Sequence, residues 1–257
     1  MLIEAKDISF GYGPTNIFNK LSLNINVSEV LCILGPNGAG KTTLMNCLVG
    51  LYPVKTGKIL LEGQDILSLS PRYVAQRIGY VPQVIVPTFS YSVLEYVVTG
   101  CAPHIGTFER PGEEEYEKAM AALREMGIAR LSDKAYNEIS GGERQQASIA
   151  RVLAQKPSVI LMDEPTAHLD YGNQYRVLDT IHGLKEKGFG VVLTTHNPDH
   201  PLMLGGRVAV IDREGNYVGG TAEEVINESF LKKLYGVDLQ MTHVEALGRA
   251  TVLPPKI

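Results

Sequence analysis

The chain holds three cysteines, Cys32, Cys47 and Cys101, and no CxxC pair. An odd number without metal-ligand spacing argues against a disulfide framework and for reduced thiols in an intracellular protein. Excess positive charge is missing too: 24 Lys+Arg stand against 28 Asp+Glu, a net of −4, which gives no electrostatic footprint for gripping duplex nucleic acid. No apolar run approaches the length of a membrane span, and the opening MLIEAKDISF carries Glu4, Lys6 and Asp7 where a signal peptide needs an apolar core. Any membrane span would have to come from another chain. Internal repeats and low-complexity segments are absent as well.

What is present suits a folded α/β protein. With 257 residues and 44% apolar side chains the chain can bury a sizeable core, as one domain with a substantial insertion. Short β runs at residues 2–10, 18–26, 30–34 and 58–62 are broken by turns, and the pattern becomes helical after Lys41. Residues 91–131 contain SVLEYVV and EEEYEKAMAALREM, the latter with Tyr116, Ala119, Met120, Leu123 and Met126 at helical spacing, so a mostly helical insertion is expected. From residue 158 the alternation resumes with a strand at SVILM, a helix over about 173–187, a strand at GVVLTT and a hairpin at RVAVIDREGNYVGG. This order predicts a mostly parallel sheet with ligands at the carboxyl ends of its strands. The tail from Thr221 reads as short helices followed by an irregular end at Pro254-Pro255.

The first chemical signal is GPNGAGKT, residues Gly35, Pro36, Asn37, Gly38, Ala39, Gly40, Lys41 and Thr42, followed by Thr43. It matches G-x-x-x-x-G-K-[ST], follows the apolar run VLCIL and precedes a helical pattern. Four fixed positions match by accident in about one chain in a hundred of this length, so the match in this context is specific. The glycines let the backbone fold around phosphate oxygens, Lys41 reaches the outer phosphates, and the Thr42 hydroxyl is available to Mg²⁺.

A second signal is SVILMDE, an apolar run ending in Asp163 and Glu164. Placed at the carboxyl end of a buried strand, Asp163 would hold Mg²⁺, usually through water, and Glu164 would orient or deprotonate an attacking water. The plainer alternative is that the two acids cap a turn before Pro165. A third signal is ISGGERQQASIARVL, where Ser140 and Glu143 form a capping box ahead of a stripe of Ala147, Ala150, Leu153 and Ala154. Capping does not account for Gly141 and Gly142, each of which weakens a helix by up to about 1 kcal/mol relative to alanine. Two glycines there fit a ligand that must approach the backbone closely.

Taken together, these motifs resemble the nucleotide-binding subunits of ABC transporters, over residues 1–220 and in the family's order. The resemblance implies a P-loop NTPase core of RecA type with a mostly parallel sheet and an N-terminal antiparallel β part. It divides the chain into a core at 1–87 and 156–220, a helical signature subdomain at 88–155 and a tail at 221–257. It also implies that two copies pair head to tail, so that Ser140, Gly141 and Gly142 of one close over the ATP held by the other. Further roles follow from the resemblance: Tyr12 in FGYG stacks on adenine, although it could simply pack at a strand end. Gln83 in YVPQ senses Mg²⁺ and the attacking water, Asp170 in AHLD lies on the loop that crosses to the partner, and His196 contacts the γ-phosphate.

His196 and His200 have the i, i+4 spacing of a helical metal pair, but Asn197-Pro198 reads as a helix cap and first residue, which takes His196 off the helix. His104, His168, His182, His200 and His243 are expected to be structural or solvated. The chain departs from the family's usual signature at Ile139, where Leu is usual, and at Glu143, where Gln is usual.

The segments VPTFSYSVLEYVVTGCAPHIG, TTHNPDHP and KKLYGVDLQMTHVE resemble importers of haem, siderophores or cobalamin, with molybdate and tungstate carriers close by. This implies ATP and Mg²⁺ as cofactors and membrane-spanning permease subunits docking near residues 83–105. An external substrate-binding protein would act indirectly, and the chain would sit at the cytoplasmic face of the membrane. A soluble ABC ATPase of cytosolic assembly, such as iron–sulfur cluster building, and a non-hydrolysing nucleotide switch are the alternatives, the latter disfavoured by the presence of both Glu164 and His196.

Overall fold

Leu31 and Ile33 face one hydrophobic cluster, while Val30, Cys32 and Leu34 face another. All five side chains are buried, so the strand VLCIL is covered on both faces, as a parallel strand between layers must be. The computed structural model describes residues 2–83 and 91–256. It builds outward from this strand.

In chain order, β1 (Ile3–Phe10), β2 (Phe18–Ile25) and β3 (Val30–Leu34) lead through the glycine-rich loop to α1 (Lys41–Leu48). Then come β4 (Thr56–Leu61), β5 (Gln64–Asp65), α2 (Pro71–Arg77) and β6 (Ile78–Val81). Between β6 and the next strand the named elements are helical: α3 (Val93–Val98), α4 (Glu113–Glu125) and α5 (Gly141–Gln155), with short 3₁₀ turns among them. The alternating part is β7 (Val159–Met162), α6 (Tyr171–Glu186), β8 (Gly190–Thr195), α7 (Asp199–Leu204), β9 (Arg207–Ile211) and β10 (Tyr217–Thr221). The tail adds α8 (Ala222–Val225), α9 (Glu228–Tyr235), β11 (Gln240–Val244) and β12 (Arg249–Leu253).

Two sheets face each other across α1 and its surrounding core. One has the order β2-β1-β4-β5 and is antiparallel; the other runs β10-β9-β3-β8-β7-β6 and is parallel except for the edge strand β10, which pairs antiparallel with β9. The fold is thus the mixed α/β architecture expected, an antiparallel β part beside a parallel-sheet core. Because β8 lies between β3 and β7, the loops leaving three neighbouring strands emerge side by side at one end of the sheet.

Several expectations shift. The residues read as an irregular end form a hairpin, β11 with β12, turning through Gly248 at φ 62. Its strands are mostly exposed or half-buried, so they show no clean alternation, yet β-branched residues and a left-handed glycine are enough to form the ladder. The motifs missed α2 and β6, although Ser70 caps α2 through Tyr73 N–H and Pro71 opens it, an N-terminal signal legible in SPRYVAQR. In α4, Ala119 and Leu123 are buried as expected, whereas Tyr116 is exposed. α7 starts one residue late: Pro198 is its cap position, and Asn197 still caps by accepting from Asp199 N–H at 2.9 Å. The three cysteines are free and buried, and burial raises each thiol, Cys47 to about 12.

Candidate nucleotide site

The loop after β3 is shaped by its glycines. A Cβ on Gly35 would lie 2.3 Å from the Ile211 carbonyl oxygen, so only glycine lets the loop pass the end of β9. Gly40, at φ 94, occupies the N-cap position of α1 with no side chain capping it. The first-turn N–H groups of α1 are therefore left to an anion.

A cavity of about 700 Å³ opens over that turn. Of the residues expected at a nucleotide, Tyr12, Asn37, Gly38, Gly40, Lys41, Thr42, Thr43, Gln83, Glu164 and His196 line it. Gly35, Pro36 and Ala39 belong to the same loop but do not line it. Asp163 lies below, only 2% exposed, and Asp170, Ser140, Gly141 and Gly142 lie elsewhere.

Lys41 is 5% exposed, and its ammonium donates to the carbonyls of Gly35 at 2.9 Å and Pro36 at 3.2 Å and pairs with Glu164 Oε1 at 3.0 Å. The other Glu164 oxygen, Oε2, is 3.1 Å from His196 Nδ1. Burial opposes ionisation of Glu164, but Lys41 and His196 together outweigh it and hold the carboxyl below the usual glutamate range. Glu164 also sits at φ 44, a left-handed conformation costly for a residue with a Cβ. The Thr194 hydroxyl supports that conformation: it accepts from Glu164 N–H at 2.7 Å and donates to Asp163 Oδ1 at 2.6 Å. Thr194 and Thr195 went unread in the sequence. Their signal is the change from apolar to hydroxyl side chains in the last two positions of an otherwise apolar strand, all of it buried.

Tyr12, 61% exposed, presents its ring at the cavity mouth and meets Phe10 edge-on at 5.3 Å between centroids. The cavity also takes in Ile17, Thr166 and Gln174, which no motif indicated, and Ala167 and Asn197, which fall within AHLD and TTHNPDHP without being singled out for the site. His168 and His200, expected to be structural or solvated, line it as well. His200 is 4% exposed, with Nδ1 at 2.8 Å from Thr195 Oγ1. Among the described residues there is no cluster of three or more His, Cys, Asp or Glu suited to a metal ion.

Burial, with His196 nearby adding to it, pulls the His200 imidazole down to about 4, so His200 is neutral in the fold. The unfolded chain takes up a proton near pH 6.5 that the folded chain refuses, so stability is lost as pH falls from about 7 toward 4. We expect His200→Asn, which keeps a polar partner for Thr195, to lose about 2 kcal/mol less than the wild type between pH 7 and pH 5 in urea unfolding. Equal losses in both proteins would contradict this assignment.

The second glycine-bearing turn has a different environment. Glu143 folds back: Oε2 accepts from Ser140 N–H at 3.0 Å and Ser140 Oγ at 2.9 Å, and Oε1 pairs with Arg130 at 2.9 Å. The capping box is real, and these bonds to Ser140 hold the carboxyl low despite partial burial. The reason for Gly142 is partly internal: a Cβ there would come within 2.8 Å of the Asn173 side chain, which Asp170 holds from the cap of α6. Gly141 has no such neighbour and opens onto free space. Of the region read as the permease groove, residues 84–90 lie outside the described residues.

A glycine-rich loop between a buried strand and a helix, with two acids ending another strand of the same sheet, defines a P-loop nucleotide hydrolase core. Comparison with known proteins narrows this. The ABC transporter family profile matches residues 18–167. The probable iron chelatin transport ATP-binding protein of Helicobacter pylori is 34% identical over 242 residues, covering 93% of this chain and 95% of its own. The molybdate import ATP-binding protein MolC of Haemophilus influenzae is 33% identical over 235 residues, covering 91% and 87%. Among solved structures, a chain from a metal-chelate type ABC transporter in an inward-facing conformation superposes with a TM-score of 0.88 at 30% identity, covering 99% of this chain and 97% of that one. The chain belongs to the ABC transporter family as an ATP-binding subunit. Its activity is ATP hydrolysis coupled to transport.

Proposed function

We propose that the chain drives an importer of a metal chelate or a related oxyanion, working as a head-to-tail dimer with ATP held between the two copies. The observation that carries the dimer reading is the separation of the two glycine-bearing turns. The cavity over α1 gathers Lys41, Glu164, His196 and Gln83, while Ser140, Gly141 and Gly142 form no part of it and Gly141 faces open space. A glycine-bearing turn that lines no part of its own chain's cavity, with Gly141 open to space, supports a ligand held by a second copy. The import reading draws its support from the relatives, one named for iron chelatin and one for molybdate, and from the metal-chelate transporter whose chain superposes so fully.

Within the site, Tyr12 stacks on the base, the N–H groups of the loop and first turn of α1 take the phosphates, and Lys41 neutralises the outer ones. Mg²⁺ suits the oxygen donors at hand, the Thr42 hydroxyl, the Gln83 amide and the Asp163 carboxylate, and when bound it supplies charge neutralisation of the phosphates. Glu164 positions and deprotonates the attacking water, and His196 faces the terminal phosphate. The Lys41–Glu164 pair gives these roles an order. Phosphate oxygens compete for the ammonium, and a Glu164 relieved of its cation becomes a stronger base at the moment the substrate arrives.

No helix among the described residues is long and apolar enough to cross a membrane. In this reading the transported molecule passes through other chains. Permease subunits dock near residues 83–105, holding this chain at the cytoplasmic face of the membrane, with an external binding protein delivering cargo. Purifying tagged Glu164→Gln from native membranes in detergent with Mg-ATP tests this. A stoichiometric polytopic membrane protein is the expected companion; soluble partners alone would overturn the importer reading in favour of a cytosolic assembly role.

A further inference from the structure

His196 lies just past β8, beyond the last register pair of that strand, Leu34 with Thr195. Its ring is about half exposed and bonds to Glu164. The segment that follows is fastened from outside by the tail of the chain at two points. The Tyr235 hydroxyl, on the last turn of α9, donates to the His196 carbonyl oxygen at 2.8 Å. Three residues on, Asp199 Oδ1 accepts from Thr251 Oγ1 at 3.0 Å and from Val252 N–H at 2.9 Å, both on β12.

The tail is built to make these contacts as a unit. Asn227 caps α9, the fully buried Leu231 anchors it, and Gly236 ends it in a left-handed turn at φ 72. Glu228 Oε1 on α9 accepts from Met241 N–H on β11 at 2.8 Å, and β11 is laddered to β12. The two attachments therefore share one frame, and they bracket residues 196–199 between them.

We infer that the C-terminal segment from α9 to β12 sets the position of His196 for ATP hydrolysis, with Tyr235 as the positioning residue and Asp199 as the second anchor. This rests on the reading of His196 as the group that faces the terminal phosphate. Tyr235 touches no substrate; it acts by fixing the peptide that carries the imidazole, so that Nδ1 stays beside Glu164 and the ring keeps its orientation into the cavity. Burial pushes the Tyr235 hydroxyl up, so it remains a donor throughout the neutral range. A sub-ångström loss of orientation weakens the reacting geometry without altering the loop that grips the phosphates.

The test is steady-state ATP turnover of the full chain carrying Tyr235→Phe, which removes one oxygen and keeps the packing. The expected result is a kcat lower by about three- to tenfold, the loss of one hydrogen bond's worth of positioning, with KM for ATP within about twofold of wild type and thermal stability unchanged. Asp199→Ala should lower kcat in the same way, and Asp199→Asn, which keeps an acceptor oxygen, should restore it. In a double-mutant cycle, Tyr235→Phe should add no further loss to the residual turnover of His196→Ala, which retains the backbone carbonyl. Wild-type kcat in Tyr235→Phe, or the same fold-loss in the His196→Ala background, would overturn the inference. Wild-type turnover in His196→Ala would instead overturn the underlying reading of His196, and the inference with it.

Discussion

Glu164→Gln is expected to bind Mg-ATP and to hydrolyse it about 10²- to 10⁴-fold more slowly, the range that a positioned general base contributes. The geometry makes the substitution informative, because the amide is nearly the same size and can keep the Thr194 bond to the backbone N–H and a contact to His196. What it loses is the capacity to take a proton. It also loses the charge that draws Lys41 away from phosphate: with a neutral neighbour, the ammonium keeps the Gly35 and Pro36 carbonyls and is otherwise free for the outer phosphates. ATP affinity should therefore be preserved or improved while turnover collapses. Rapid-quench measurement of single-turnover hydrolysis, alongside equilibrium ATP binding, separates the two, and a Glu164→Gln protein within about tenfold of wild-type turnover would remove Glu164 from the role of base.

Lys41→Ala should fail earlier in the sequence, at nucleotide binding or at hydrolysis, with a loss of about 10²- to 10³-fold of the kind seen when a charge-stabilising donor is removed from a preorganised site. It carries a second cost that Glu164→Gln does not. Glu164 is only 11% exposed and would lose its cation. Breaking a fully buried pair by deleting one partner destabilises by about 3–5 kcal/mol, an upper bound here because His196 remains beside the carboxylate. The combined substitution Lys41→Ala with Glu164→Gln should recover much of that lost stability and none of the activity. Near-wild-type turnover in Lys41→Ala, read in a coupled phosphate-release assay, would sink the phosphate-loop assignment.

Much of the candidate site was legible because it lies at points where chain pattern changes abruptly. GPNGAGKT breaks an apolar strand with glycines, and Asp163 and Glu164 end another; buried strands announce their ends by composition. The resemblance to a family then added Tyr12, Gln83, Asp170 and His196, which composition alone does not single out. Less legible were residues that act across the fold. Thr194 contacts both Asp163 and Glu164 only because β7 and β8 are neighbours in register, a fact of sheet order that no local window contains. Gly142 is a similar case, its close neighbour Asn173 being brought in by the cap of α6. The C-terminal hairpin was missed for a different reason: its strands are largely exposed, so burial imposes no alternation on their sequence.

If ATP is shared between two copies of this chain, the molecular mass of Glu164→Gln in solution must depend on the nucleotide. Measured by light scattering or sedimentation, the variant should be monomeric with Mg-ADP and dimeric with Mg-ATP, and Ser140→Ala combined with Gly141→Asp should weaken the dimer without lowering ATP affinity in the monomer. A protein that stays monomeric while saturated with Mg-ATP would contradict the shared site, and would return the turn at Ser140 to the plain duty of capping α5.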